Sequence, residues 1–153
     1  MSPSFWLRAA ALMGFLAVAL GAFGAHGLRG QLKDLLEAES VSPPPKGTVA
    51  ASRRLEVFHT GVQYHMFHAL ALLAVAWLVA QPYSNTTLGT IAGVSFLAGI
   101  LLFSGSLYGL GFSGTGWLGA ITPLGGIAFL VGWAALFLAA GALDRAREAG
   151  LTP

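Results

Sequence analysis

Four stretches of this chain each approach the ~20 consecutive apolar residues that a helix needs to cross a bilayer. They cover about residues 5–25, 62–80, 88–112 and 117–143. A chain of 153 residues with 56% apolar and 9% charged residues falls far below the ~25% charged content of ordinary soluble domains. So few charges cannot cover a water-facing surface, and the bilayer must act as the main solvent. The expected fold is an all-α membrane protein. Residues 1–153 form one transmembrane domain, a four-helix bundle with short hairpin loops and one longer hydrophilic loop after the first helix. Arg8, the apolar run and the small residues around Ala22 to Ala25 resemble a secretory signal. The run is nearer a full span than a ~7–15-residue signal core, and it reads as a retained helix. Trp6, Tyr83 and Trp117 lie near span ends, where amphipathic rings favour the headgroup region.

Residues 26–57 make the long loop. Gln31 to Glu39 alternates leucines and charges as a short interfacial helix does, with Leu32, Leu35 and Leu36 on one side. The run Ser42-Pro43-Pro44-Pro45-Lys46-Gly47 breaks any helix, because proline lacks the amide donor. Arg53 to His59 restarts a helix that leads into the second span. The connections near residues 81–87 and 113–116 are short, which makes the last three spans sequential antiparallel neighbours.

The net charge of +2 comes without a Lys/Arg cluster interleaved with aromatics, so nucleic acid is excluded as a partner. The absence of cysteine removes disulfides, thiolate metal sites and cysteine nucleophiles. An even number of spans leaves both termini on one side with Arg8, Arg145 and Arg147, opposite Arg29, Lys33, Lys46, Arg53 and Arg54. By the excess of Lys and Arg alone, five against three, the long loop would be cytoplasmic.

Helices in lipid associate through close packing, and small residues four apart permit it. Gly21 (with Ala17 and Ala25), Gly89 and Gly93, Gly105 and Gly109, and Gly132 (with Ala128) are expected at helix contacts. Gly109-Leu-Gly111-Phe-Ser-Gly114 and Gly114-Thr-Gly116-Trp-Leu-Gly119 spell G-x-G-x-x-G. Neither has the preceding strand and later acidic residue of a dinucleotide site, and both read as a tight turn at the membrane surface.

The histidines carry the chemistry in question. At 100° per residue Phe58, Gly61, His65, His68 and Leu72 share a helix face, His59 points about 120° from His65, and His26 lies just after the first span. Three readings stand. One is an interhelical hydrogen-bond network of His26, Tyr64, His65 and His68 with Ser104, Ser106, Tyr108 or Thr122. A second is ligation of haem or a metal by His68 with His65 or His26; a metal site would normally want a third or fourth ligand. The third is a proton or small-solute pathway. Such relays recruit intramembrane carboxylates, and Asp34, Glu37, Glu39, Glu56, Asp144 and Glu148 all fall outside the expected spans. Without a carboxylate to orient a base and without a nucleophile elbow, hydrolase chemistry has no support.

Several of these residues fall in blocks with a family resemblance. Gly21-Ala-Phe-Gly-Ala-His26-Gly27, Thr60-Gly61-Val62-Gln63-Tyr64-His65-Met66-Phe67-His68-Ala69-Leu70, Leu102-Phe-Ser-Gly-Ser-Leu-Tyr108, and Ile121-Thr-Pro-Leu-Gly-Gly126 with Gly132-Trp133 occur in order across all four spans. Together they resemble domain-of-unknown-function family 423, which includes the transmembrane protein 256-like proteins. The resemblance implies a small inner-membrane protein with no established activity, cofactor or substrate. It also implies that His68, rather than His65, carries any shared role. About Ala38–Ala51 the chain departs from the family, with a longer and more proline-rich loop. The basic tail at Arg145 and Arg147 resembles the family's and implies that both termini are cytoplasmic, against the charge count. The expected role is that of a non-enzymatic accessory or assembly factor, packed against a larger membrane complex or a second copy of itself, with no cofactor.

Overall fold

Several helix ends lie where the sequence supplies the missing backbone partners. In the computed structural model, which describes residues 1–42 and 49–150, five helices and no strand appear among the described residues. The helix-breaking run 43–47 lies outside the described residues, as does the side chain of Arg147. Helix α1 covers Pro3–Gln31, with a π turn at Gly24–Leu28, and α2 covers Lys33–Glu39. Helix α3 covers Ala51–Ala80, α4 covers Thr86–Ser113 with a π turn at Ile100–Ser104, and α5 covers Thr122–Glu148 after a 3-10 turn at Gly116–Ala120. Helices α1, α3, α4 and α5 are long and apolar enough to span a membrane.

Ser2 Oγ accepts the Phe5 amide at 3.2 Å and Pro3 takes the first turn of α1, where an amide would be unpaired anyway. Asn85 Oδ1 caps α4 through the Leu88 amide at 3.0 Å. Gly114, at φ 69°, closes α4 in the left-handed conformation. Helix α3 has no local side-chain cap, and α2 provides one instead. The Glu39 carboxylate accepts the Ala51 amide, and the Ser52 amide at 3.2 Å. The bond from Ala51 is the main reason that the Glu39 carboxyl sits below its ordinary range; partial desolvation opposes it. This tie is complete above the ordinary carboxylate pKa and is lost as pH falls through the lowered one.

Helix α3 starts at Ala51, two residues before the restart expected at Arg53 and ahead of the span expected from position 62. Its 30 residues extend roughly 45 Å at 1.5 Å per residue, against a hydrocarbon core of ~30 Å. The first turns, with Arg53 and Glu56 paired at 2.6 Å, therefore project beyond the hydrocarbon. Arg54 Nε donates to the Gly111 carbonyl at 2.9 Å, and its Nη2 donates to the Phe112 carbonyl. A cation thus meets the negative end of the α4 dipole. At α2, the capping Leu32 is buried and Leu36 half-buried, whereas Leu35 is exposed, so the three leucines do not share one buried side.

The spans run in a row. Helix α1 packs along α3, α3 along α4 and α4 along α5, while α1 and α5 are not packed along one another. Consequently α3 is the most buried span and the two flanking helices the least. One apolar cluster near the termini gathers Trp6, Leu72, Val75, Ala92, Phe96 and Phe129, and another at the opposite end gathers Leu28, Leu32, Ala51 and Phe58. Trp6 departs from its expected headgroup position. It is fully buried, with its ring against Gly93, because the missing Cβ there leaves room for an indole. Tyr83 and Trp117 are exposed.

The small-residue faces hold rings more often than backbones. A Cβ at Gly93 would stand 2.4 Å from the Trp6 ring, one at Gly99 2.3 Å from Phe129, and one at Gly132 2.5 Å from Phe96. Gly21 faces Val62 at 3.3 Å, Gly89 faces Val79 at 2.7 Å and Gly109 faces Leu118 at 3.1 Å. Gly105 is the exception to the expected packing set. It is exposed, and a Cβ there would meet nothing within 4 Å, because its side of α4 faces away from the other helices. The tightest backbone approach is at Gly125, outside that set, where a Cβ would stand 2.3 Å from the Phe103 nitrogen.

The two glycines should therefore respond in opposite directions to one methyl group. Gly125→Ala forces α4 and α5 apart and should cost about 1–3 kcal/mol, as overpacking does. Gly105→Ala should be neutral or stabilise by up to about 1 kcal/mol through helix propensity. Thermal unfolding in mild detergent measures both, and equal destabilisation would contradict the packing described.

Candidate functional site

Between the apolar clusters, halfway along α3, the structure gathers most of its buried polar side chains. His65 and His68 are 3% and 4% exposed, and Ser104 and Ser106 on α4 are 0% and 6% exposed. Their spacing on α3 directs both imidazoles away from lipid, towards α4 and α5.

His68 is held on every side. Its Nδ1 lies 2.7 Å from the Tyr64 carbonyl, and the Trp133 indole Nε1 donates to its Nε2 at 3.2 Å. A carbonyl can only accept and an indole N–H can only donate. The ring is therefore the neutral form with its proton on Nδ1. Both nitrogens are used, and no lone pair remains for a metal. The ring also stacks on Phe129, with centroids 3.4 Å apart and planes at 8°. Phe96 and Trp133 meet edge to face at 5.2 Å, and Tyr64 lies 4.5 Å from Phe103. The site is thus an aromatic clasp closing α3, α4 and α5 around one imidazole.

His65 takes the hydroxyl that sequence reasoning offered to both histidines. Its Nδ1 lies 3.0 Å from Tyr108 Oη on α4. The expected bond from His68 to a hydroxyl is replaced by the bond from Trp133, because Phe129 and Trp133, one turn apart on α5, fill the space beside the ring. Ser106 Oγ donates to the Phe103 carbonyl at 2.9 Å, so across its 2.9 Å contact with Thr122 Oγ1 it accepts. Tyr64 contributes its carbonyl and ring face, with the side chain half open to lipid. His26 does not join the network. It is exposed at the far end of α1, where it lines a recess with Arg29 and Lys33. His65 Nε2 and Ser104 Oγ are buried without a partner among the described residues. These are the polar atoms of the site with capacity to spare. Among the described residues no three His, Asp or Glu side chains gather as a metal site would require.

Trp133 and Phe129 were the residues missed as partners of His68. The available signal was Trp133's place in mid-span, since an indole N–H in hydrocarbon needs an acceptor and imidazole is one of few at that depth.

The family described as "Protein of unknown function (DUF423)" matches residues 20–126, which include both histidines and Tyr108 but stop short of Phe129 and Trp133. The chain is 48% identical over 130 residues to the UPF0382 membrane protein YwdK of Bacillus subtilis, covering 85% of this chain and 90% of that protein. It is 41% identical over 131 residues to a UPF0382 membrane protein of Haemophilus influenzae, covering 86% and 89%. It is 36% identical over 145 residues to the UPF0382 inner membrane protein YgdD of Escherichia coli, covering 95% of each. No solved structure matches the chain.

The tautomer of His68 is directly measurable. The 15N spectrum of ring-labelled protein should show His68 protonated on Nδ1 and bare on Nε2; a proton on Nε2 would contradict the Trp133 bond. Trp133→Phe keeps an aromatic ring but leaves that acceptor unpaired, and should destabilise the protein by about 1–3 kcal/mol.

Proposed function

The chain belongs to the family of proteins of unknown function DUF423, and from that premise we propose a small non-enzymatic membrane protein that packs against a larger membrane complex or another copy of itself. One observation carries this reading: the helices on the two flanks, α1 and α5, are each packed along one neighbour, while the polar groups of His68 are turned inward and consumed. An interior built that way offers a partner stability rather than chemistry. The surface left for function is the outer side of α1 and α5, where Leu12, Phe15, Leu130 and Phe137 stand exposed.

The haem or metal alternative rests on His65, whose Nε2 is unpaired. The expected second ligand is missing, since His68 has spent both nitrogens and His26 lies at the other end of α1. A solute pathway has still less support, as none of the six Asp and Glu residues is buried. We assign the chain to the inner (plasma) membrane with both termini cytoplasmic. A relative in Escherichia coli carries the name inner membrane protein, and the basic tail favours that orientation.

Native mass spectrometry and an optical spectrum of gently solubilised protein test the role. A stoichiometric partner or dimer with no Soret band is the expected outcome; a haem-loaded monomer would overturn it. Impermeant-reagent labelling of Ser2→Cys, Ser42→Cys and Ser113→Cys in intact cells tests the orientation. Only positions 42 and 113 should react from outside, and labelling of position 2 there would reverse the assignment.

A further inference from the structure

At the end of α1 the chain leaves the bilayer through the π turn at Gly24–Leu28. His26, Arg29 and Lys33 stand at i, i+3 and i+7, which sets them on one side of the helix. With Ser40 and Glu37 they line an open recess of about 650 Å³. The opposite side of the same turns is anchored: Leu28 and Leu32 are buried in the cluster with Ala51 and Phe58. The basic face cannot turn inward and must point along the bilayer surface.

We propose that this recess binds the phosphate of an anionic phospholipid headgroup. Four observations support it. The recess lies within two turns of the last apolar residues of α1, at the depth where lipid phosphates lie. Arg29 has no ion-pair partner among the described residues, and Lys33 makes only a 3.9 Å, solvent-exposed contact with Glu37. Glu37 is the carboxylate lining the recess and meets the cations only through that solvent-screened contact, while the neighbouring Glu39 is occupied by the amides of Ala51 and Ser52. Gly30, with nothing within 4 Å of its would-be Cβ, leaves the floor of the recess open to an approaching group. An arginine fork presents paired donors to phosphate oxygens, and a lysine one turn further on adds a second cation.

The source of the phosphate is taken to be the bilayer, because α1 delivers the recess to the headgroup layer with its apolar flank exposed to acyl chains. The test uses the full chain in mild detergent. Phosphatidylglycerol, phosphatidylcholine or inorganic phosphate is titrated while thermal stability is tracked, and bound lipid is counted by native mass spectrometry. Phosphatidylglycerol should raise Tm and remain bound one per chain, and phosphatidylcholine should not. Arg29→Gln with Lys33→Gln should weaken phosphatidylglycerol binding by about fivefold for each charge removed. Arg53→Gln, an exposed charge outside the recess, should leave binding unchanged. Both substituted side chains are exposed, so the fold is expected to persist. If the double variant unfolds, Arg29→Gln alone gives the same comparison at about fivefold. Equal binding by wild type and variant would overturn the site. Protection by inorganic phosphate as strong as that by phosphatidylglycerol would overturn the lipid as its ligand.

Discussion

A carbonyl that can only accept and an indole that can only donate leave His68 a single state, and the middle of the membrane domain is arranged around it. In hydrocarbon an unpaired polar group costs several kcal/mol, so Tyr64, His68 and Trp133 have to stay in register. The Phe129 ring, parallel to the imidazole at 3.4 Å, closes the remaining face. A histidine at this depth usually prompts a search for a ligand or a proton path. Here its polarity is spent on joining α5 to α3, two helices that otherwise touch little.

The glycines supply the other half of the cohesion. Lipid gives helices no burial-driven reason to associate, so contact area has to come from shape. Trp6, Phe96 and Phe129 sit in notches left by Gly93, Gly132 and Gly99. A ring against a glycine brings many atoms into dispersion contact without a second large side chain on the facing helix. That also explains how Trp6 can be buried completely, at the cost of an indole N–H left without a partner.

Much of this was legible from residues alone. Length and apolarity are decided by the bilayer's thickness, so the four spans emerged from counting, as did the inward face of His65 and His68. Helix ends were less accessible: α3 begins at Ala51 because Glu39, 12 residues earlier, supplies its cap, and no local pattern announces a cap from another helix. The face that α4 presents was hidden for a geometric reason. The π turn at Ile100–Ser104 adds a residue to one turn of α4, which shifts the phase of the helix beyond Ser104 by about 100°. On an uninterrupted helix Phe96 and Tyr108 would stand about 120° apart; across the π turn both face α3. A single wheel drawn through α4 therefore misassigns one end or the other. Gly105 was expected at a contact from its spacing with Gly109 alone, and the structure has open space there.

Arg54 has a mechanical consequence. Helices α3 and α4 are joined by the short turn at one end and, at the other, by a guanidinium holding the Gly111 and Phe112 carbonyls. Two struts fastened top and bottom resist both splaying and sliding, so the central pair behaves as a rigid frame. Helices α1 and α5 are hung on that frame from one side each.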